Sequence, residues 1–247
     1  MIQGAADLRD AYRDDRVASS YVEERFRAPL GALLHQRQVA ALRSVIGRSR
    51  PERVLEIAPG PARLTVDVAP MLGAPPVVID ASPQMLVQAR RRLAAVDHQA
   101  SMVEGDAFQL PFTATFDLVY TFRLIRHFDD PDRARLYGQI ARVLKPGGYL
   151  VFDAVNETVS RPLRERARPG DHQHFDALLT RESVISELSD EGFAVERLIG
   201  VQHRYPLLQQ IQILVGPRSS VMARAAMEVV DRLGGEPMEW VVVCRRK

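Results

Sequence analysis

A short apolar run that ends in a turn of small residues constrains the fold of this chain more than any other feature. Residues 53–65 read RVLEIAPGPARLT, so a strand at Val54–Ile57 passes through a turn into a helical pattern from Arg63. Such a turn lets a ligand approach the backbone and presents the N–H groups that begin a helix. Glu56 is the acidic residue inside the strand, and a buried carboxylate requires a cationic or hydrogen-bonding partner. The stretch predicts a ligand site where the first strand ends.

Two more acidic residues follow short apolar strands. The run Val77–Ile79 ends at Asp80, and the run Ser101–Glu104 leads to Asp106. In doubly wound folds an acid at the end of the second strand binds ribose, because its two oxygens accept hydrogen bonds from two hydroxyls. Asp106, next to the N–H of Ala107, would accept the amino group of a purine. The alternatives are a helix cap shared by Asp80 and Ser82, and an ordinary surface turn at Asp106.

Strands and helices alternate along the chain, which predicts a parallel sheet with right-handed crossovers. Further strands are expected at 116–122, 149–155, 194–201 and 238–246. No linker or repeat divides the chain, so a single domain is predicted over residues 1–247. Its parts are a helical cap or lid (1–50), a cofactor-binding core (51–155), and an acceptor-side insertion with the C-terminal strands (156–247). As a lid, the first part would face the site with Tyr12, Tyr21 and Arg25.

Composition argues against several classes of protein. The formal net charge of +2 gives no electrostatic case for binding nucleic acid. The single cysteine, Cys244, excludes an intramolecular disulfide and a cysteine-rich metal site, and it is expected to be buried in a strand. No apolar run approaches the roughly 20 residues that span a membrane, and the N-terminus lacks a signal sequence. These features predict a cytoplasmic protein without a metal, and they allow a homo-oligomer.

Five linked motifs resemble those of the class I S-adenosylmethionine-dependent methyltransferases, and within them the small-molecule group called type 11. The motifs are, in order, VLEIAPGPARLT, VVIDASPQML, EGDAFQLPF, FDLVYTFRLIRHF and RVLKPGGYLVFD. The resemblance implies an α/β, Rossmann-like, doubly wound sheet of seven strands. The sheet would be mostly parallel, with residues 238–246 as its antiparallel last strand.

The resemblance also implies S-adenosyl-L-methionine as cofactor and S-adenosyl-L-homocysteine as product. The implied contacts are Glu56 for the methionine end; Ala58, Gly60 and Ala62 in the small-residue loop; Asp80 for the ribose; Ala81 and Met85 beside the adenine; Asp106 and Ala107 at its edge; and Thr121 and Phe122 near the transferable methyl. The family usually has glycine at all three loop positions. Here Gly60 remains, with Pro59 and Pro61 on either side of it.

The implied reaction is methyl transfer to an oxygen, nitrogen or carbon atom of a small molecule. His127, His172 and His174 are candidate bases, with Tyr21 behind them, and Arg123 is a candidate partner for an anionic acceptor. The alternative for His127 is a structural hydrogen bond to backbone. For Arg123 it is an ion pair with Asp129 or Asp130.

Other functions remain open on the sequence. The substituted glycines allow a non-catalytic module that binds S-adenosylmethionine or another nucleoside. A NAD-dependent oxidoreductase would have the G-x-G-x-x-G turn, whereas this chain has A-P-G-P-A-R. An RNA methyltransferase would show a basic or aromatic binding patch, which is not evident.

Overall fold

The computed structural model describes residues 26–167 and 175–247. Tyr12, Tyr21, Arg25, His172 and His174 lie outside these ranges. The helices are α1 (Pro29–Ser49), α2 (Thr65–Val68), α3 (Pro83–Ala94), α4 (Asp130–Val143), α5 (Glu157–Glu165), α6 (Arg181–Asp190), α7 (Tyr205–Leu214) and α8 (Ser220–Arg232). The strands are β1 (Val54–Ile57), β2 (Val77–Asp80), β3 (Ser101–Glu104), β4 (Phe116–Thr121), β5 (Leu144–Asn156), β6 (Leu178–Leu179), β7 (Phe193–His203) and β8 (Pro237–Arg246). Short 3₁₀ turns cover Ala69–Met71 and Ile125–His127.

The strands form one mixed sheet in the order β3-β2-β1-β4-β5-β8-β7. Strands β1 to β5 run parallel, and β8 lies antiparallel between β5 and β7. The predicted doubly wound sheet with an antiparallel last strand is therefore confirmed. The two-residue β6 adds a short parallel pairing with β5 beyond the seven strands of the main path.

Apolar layers cover both faces of the sheet. On one face the side chains of Leu55, Phe152 and Val242 pack with those of α4 and α6. On the other face Tyr120 and Val241 pack with α1. Strands β1 and β4 lie between the layers, which explains why their sequences are nearly continuous apolar runs. Glu56 is the exception in β1, and it points into the functional site described below.

The segment between β5 and β6 and the one after β7 depart from the sequence-based expectation. Residues 157–165 form α5 although Pro162 interrupts the helical pattern, and the Asn156 side chain caps the helix by accepting the N–H of Thr158. After β7 the chain forms α7, for which no helix was predicted. The helix expected from Arg63 is shorter than the pattern suggests, with one turn of α-helix followed by a 3₁₀ turn.

Among the described helices, none has both the length and the apolar character needed to cross a lipid bilayer. The described residues also contain no cluster of His, Cys, Asp and Glu that could hold a metal ion.

Candidate functional site

A cleft with about 800 Å³ of empty space, including its open mouth, lies at the carboxyl ends of β1 to β4. Parallel strands bring their carboxyl ends to one edge of the sheet, so the loops that follow them converge there. The walls come from the turn after β1, the start of α3, and the loops after β3 and β4. The lining includes Ala58, Gly60, Asp80, Ala81, Met85, Asp106, Ala107, Phe108, Phe122, Arg123 and Phe128.

The turn after β1 holds three small residues in the left-handed backbone region. The φ angles are 52° at Ala58, 54° at Gly60 and 56° at Ala62. Glycine adopts this conformation without strain, whereas an alanine there costs roughly 1 kcal/mol or more. A Cβ added to Gly60 would lie 3.9 Å from Met85 Sδ, an ordinary contact, so the backbone angle rather than crowding favours glycine. Both alanines are therefore strained where the resembling family prefers glycine.

Asp80 ends β2 and ties the first two loops together. Its Oδ2 accepts the Gly60 N–H at 3.0 Å, and its Oδ1 accepts the Ser82 N–H at 2.9 Å. Ser82 also caps α3 by accepting the N–H of Met85. Burial raises the pKa of the Asp80 carboxyl to about 6, against the lowering effect of these hydrogen bonds. The helix-cap network considered as the alternative is therefore present, at a carboxylate that also lines the cleft.

Asp106 also lines the cleft, in the loop after β3, the strand next to β2. Its Oδ1 accepts the Phe108 N–H at 2.9 Å, which closes a tight turn. The turn brings Ala107 and Phe108 to the cleft wall beside it. The turn-forming role given as an alternative is therefore present, at a position that also lines the cleft.

A smaller cavity of about 320 Å³ adjoins the cleft and shares Ala58, Gly60, Phe122 and Arg123 with it. Glu56 lies at this cavity and is 3% exposed. Its Oε2 accepts hydrogen bonds from Thr65 and, at 3.0 Å, from Tyr120, whereas Oε1 accepts none from the described residues. Burial raises the pKa of Glu56 to about 7, against the lowering effect of both hydroxyl donors and of Arg63.

Arg63 also lines the small cavity, although the sequence analysis did not identify it as a site residue. Its guanidinium donates to Gln38 Oε1 at 2.7 Å and to His35 Nδ1, and it stacks 3.9 Å from the centre of the Phe26 ring. Since a guanidinium is only a donor, His35 accepts through Nδ1, and its Nε2–H donates to Asp67 at 2.9 Å. Glu56 and Arg63 thus give the cavity one acidic and one basic wall.

Arg123 follows β4 and borders both cavities. Its φ is 62°, and its N–H donates to Asp153 Oδ1 at 2.6 Å. Asp153 belongs to a buried polar cluster in which Arg126 Nη2 donates to Glu239 Oε1 at 2.7 Å and Arg126 Nη1 lies 3.5 Å from Asp153 Oδ2. Asp129 instead caps α4 and Asp130 pairs with Arg133, so the ion pair considered for Arg123 with either acid is wrong.

Three of the residues singled out from the sequence line neither cavity. Ala62 is fully buried and packs with Ala89 and Leu93 beneath the turn. Thr121 is fully buried in β4, and its hydroxyl has no hydrogen-bond partner among the described residues. His127 Nδ1 donates to the Phe175 carbonyl at 2.9 Å, the kind of backbone hydrogen bond considered as its alternative role. Burial lowers the pKa of His127 to about 4, so the ring is neutral at pH 7.

The arrangement provides distinct groups along one path. An anionic carboxylate beside a guanidinium can hold a zwitterion at the small cavity. Asp80 can accept from a vicinal diol at the junction, and the loop after β3 can bind the edge of a flat ring in the cleft. The path therefore suits an elongated nucleoside that carries an amino-acid tail.

Residues 54–148 match the protein family described as "Methyltransferase domain". The chain is 31% identical over 173 residues to the malonyl-[acyl-carrier protein] O-methyltransferase of Methylococcus capsulatus, an alignment that covers 65% of this chain and 62% of that protein. It is 40% identical over 107 residues to the demethylmenaquinone methyltransferase of Thermus thermophilus, covering 41% and 46% respectively. The chain thus spans less than two thirds of the length of these relatives.

Solved structures share the fold at lower identity. The magnesium protoporphyrin IX methyltransferase of Synechocystis, solved with bound SAH, superposes with a TM-score of 0.68 at 15% identity and covers 97% of this chain and 98% of its own. The [4+2]-cyclase SpnF superposes with a TM-score of 0.57 at 20% identity, covering 84% and 80%. At such identities the likeness shows the fold alone. Together with the matched domain and the related sequences, it leads to one conclusion: this chain is similar to S-adenosylmethionine-dependent methyltransferases, with a match to a methyltransferase domain at residues 54–148.

Proposed function

We propose that this protein transfers a methyl group from S-adenosyl-L-methionine to a small-molecule acceptor and releases S-adenosyl-L-homocysteine. One observation carries the proposal: Glu56, Asp80 and Asp106 lie in succession along two adjoining cavities at the carboxyl edge of the sheet. That order matches the charged tail, the ribose and the base of the cofactor. The methyltransferases related in sequence support the same reaction.

The described residues fit the cofactor at each of its parts. Glu56 Oε1, which accepts no hydrogen bond from the described residues, would take the ammonium group, and Arg63 would take the carboxylate. Asp80 is held by two backbone N–H groups in a position to accept the ribose hydroxyls. Ala81 and Met85 would pack on the adenine, and Asp106 and Ala107 would face its edge.

The cofactor, when bound, supplies an electrophilic methyl group on a positively charged sulfur. The chain's task is then to hold donor and acceptor in line and to exclude water, which can contribute ~7–11 kcal/mol of the barrier reduction. Phe122 borders both cavities and would shield the reacting end with an apolar wall. No metal-assisted step is needed for an in-line displacement of this kind.

We place the acceptor beside Arg123. Its guanidinium would pair with an anionic group of the acceptor, since the side chain lies where the two cavities join. The roles of His127 and Tyr21 as bases stay predictions. His127 borders neither cavity and is a weak base with its pKa near 4, and Tyr21 lies outside the described residues.

A second function, binding of the nucleoside without catalysis, is favoured by the strained turn. Ala58 and Ala62 keep left-handed angles without glycine, and Pro59 and Pro61 remove two N–H donors from the loop. SpnF, which shares the fold, is named as a [4+2]-cyclase and not as a methyltransferase. Binding without turnover of any offered acceptor would favour this second function.

Calorimetry with S-adenosylmethionine, its demethylated product and NAD tests the proposal directly. We expect micromolar-range affinity for both sulfur compounds and none for NAD. Asp80→Ala should weaken their binding roughly 10- to 100-fold, because hydrogen bonds to a charged group contribute about 1.5–3 kcal/mol. Asp190→Ala, at an exposed acid that ends α6, is the matched control and should bind normally.

Two outcomes would contradict the proposal. If neither sulfur compound binds, the cleft is not a cofactor site of this class. If Asp80→Ala binds as well as the unaltered protein, the ribose assignment is wrong even if the cofactor binds.

A further inference from the structure

We propose that the turn joining α7 and α8 docks this protein onto an anionic lipid surface. The observation behind the proposal is a set of large apolar side chains that stay exposed on both sides of that turn. Ile213 and Leu214, at the end of α7, are 69% and 62% exposed, and Val221 and Met222, at the start of α8, are 75% and 66% exposed. Apolar surface of this kind costs free energy in water and is favourable at a membrane interface.

The turn is tightly built. Its five residues, 215–219, are closed by the Ser219 N–H donating to the Val215 carbonyl at 2.9 Å. Gly216 cannot be replaced without a shift, because an added Cβ would lie 2.4 Å from the backbone oxygen of Gln212. Ser219 then caps α8 by accepting the Met222 N–H. The end of α7 and the start of α8 are thereby held close together, with the exposed side chains beside the turn.

The inner side of the same helix pair is fixed to the rest of the molecule. Leu208 and Met227 are fully buried against Leu33 of α1. Gln212 Oε1 accepts the N–H of Leu30 at 3.0 Å. The two helices therefore have one side committed to the core, whereas Ile213, Leu214, Val221 and Met222 beside the turn stay mostly exposed and belong to no core cluster of the described residues.

Charge decides which occupant suits this surface. No acidic residue occurs between Glu196 and Glu228, so the whole of α7, the turn and the first part of α8 lack negative charge. Arg218 and Arg224 are exposed beside the apolar residues, and Arg218 donates to the backbone oxygen of Leu214. Neither arginine forms an ion pair with an acid of the described residues. Apolar side chains next to unpaired cations match the boundary of an anionic bilayer.

The location links this surface to the proposed acceptor side. α7 begins at Tyr205, whose hydroxyl has its pKa raised by burial and by the charge of Glu239, a member of the polar cluster next to Arg123. The end of α7 reaches Leu30 of α1, one turn and a half before His35, which contacts Arg63 of the small cavity. The helix that carries the surface is therefore connected at its start to the polar cluster next to Arg123 and in its last turn to α1.

Vesicle co-sedimentation without cofactor tests the proposal independently of the proposed methyl transfer. We expect the protein to pellet with vesicles of phosphatidylglycerol and phosphatidylcholine, and to partition roughly 30-fold less onto phosphatidylcholine alone, because each of two arginines near an anionic surface contributes about 1 kcal/mol. Ile213→Ser with Val221→Ser should lower binding to the anionic vesicles at least about fivefold, through lost apolar insertion.

Matched control variants distinguish binding through this surface from nonspecific adsorption to lipid. Val87→Ser with Val96→Ser removes two exposed valines elsewhere, at 46% and 44% exposure, and should bind vesicles normally. Arg218→Glu with Arg224→Glu should abolish the preference for anionic lipid, whereas Arg90→Glu with Arg91→Glu, exposed on α3, should keep it.

The absence of vesicle binding would overturn the proposal. So would a loss of vesicle binding in the control variants as large as the loss in the variants of the turn. Sedimentation velocity without lipid, which measures the oligomeric state, gives a further result that could contradict the proposal. If the unaltered protein is a dimer that Ile213→Ser with Val221→Ser makes monomeric, the surface is an interface between two copies of this chain. Failure of vesicle binding would leave the calorimetric test of the cofactor site unaffected.

Discussion

Glu56 combines two properties that usually exclude each other, since it is buried in a strand and yet has one carboxylate oxygen without a hydrogen bond from the described residues. Burial raises its pKa to about 7, so the free protein holds much of this carboxyl in the neutral form at neutral pH. A cofactor ammonium would favour the ionised form. Binding and proton release at Glu56 are therefore coupled.

The coupling gives a pH dependence of defined sign. As the pH falls below about 7, Glu56 takes up a proton that the ammonium must displace, so we expect the dissociation constant for S-adenosylhomocysteine to rise by up to tenfold per pH unit. Asp80, with its pKa raised to about 6, adds a second loss at lower pH. Calorimetry at pH 8, 7, 6 and 5 measures both steps.

Substitution separates the two carboxyls. Glu56→Gln should bind more weakly at pH 8 and lose the dependence near pH 7 while it keeps the Asp80 step. Glu104→Gln, at an exposed acid that ends β3, is the control and should preserve the full profile. An unchanged profile in Glu56→Gln would show that this carboxyl does not meet the ligand's charge.

At the residue scale, the sequence predicted positions well where a strand end fixes them. Gly60, Asp80 and Asp106 line the cleft because each lies at the end of a parallel strand or in the turn that follows one. The direction in which a side chain points was harder to predict from the sequence. Ala62, for example, packs beneath the loop and does not line the cleft. The sequence analysis did not identify Arg63 as a site residue. Its partners His35 and Gln38 lie on α1, and the local sequence around Arg63 does not predict that pairing.

At the scale of elements, Arg133 joins α4 to α6. Its side chain is 2% exposed and makes two hydrogen bonds to Glu187, at 2.9 and 2.7 Å, and one to the Phe128 carbonyl at 2.8 Å. Two parallel donors to one carboxylate fix both the distance and the orientation of the two helices. The same arginine thereby anchors the end of the 3₁₀ turn that leads from β4 into α4.

Removal of that link should destabilise the fold strongly. Arg133→Met should lower the free energy of unfolding by about 3 kcal/mol, because it strands Glu187 and leaves the Phe128 carbonyl without its donor. Arg135→Met, whose parent side chain is 66% exposed and pairs with Asp132, should change it by less than about 0.5 kcal/mol. Urea denaturation measures both variants.

A double variant completes the experiment. Arg133→Met with Glu187→Leu should recover much of the loss, since apolar residues can replace a buried ion pair. Equal stability of Arg133→Met and Arg135→Met would mean that the link between α4 and α6 contributes nothing measurable.

Elements with regular patterns were predictable, and those with conflicting local signals were not. β2, α3 and β3 have nearly the predicted bounds because Pro83 and Ser82 mark a helix start and the strands are short apolar runs. α5 contains Pro162, which argues against a helix, and it forms because Asn156 caps it beside β5. α7 follows Arg204, a residue with a left-handed φ of 54°, and no sequence rule distinguishes such a start from a loop.

At the scale of the whole molecule, the alternation of strands and helices determined the parallel half of the sheet. The position of β8 between β5 and β7 required long-range pairing across much of the chain, such as Leu150 with Cys244. That pairing follows from the resemblance to a known family and not from the local pattern. The division into a cap, a cofactor-binding core and an acceptor-side part remains a prediction, as do the cytoplasmic location and the oligomeric state.

The single cysteine gives this sheet a built-in chemical reporter. Cys244 is fully buried in β8, between β5 and β7, and burial raises the pKa of its thiol. A thiol reagent can reach it only when the inner strands separate, so its labelling rate measures how often the sheet opens. With S-adenosylhomocysteine at 100 times its dissociation constant, we expect labelling to slow about 100-fold, because the ligand stabilises the closed form by that factor. If the labelling rate is the same with and without the ligand, the antiparallel half of the sheet opens on its own, as a cooperative unit separate from the strands that bind the cofactor.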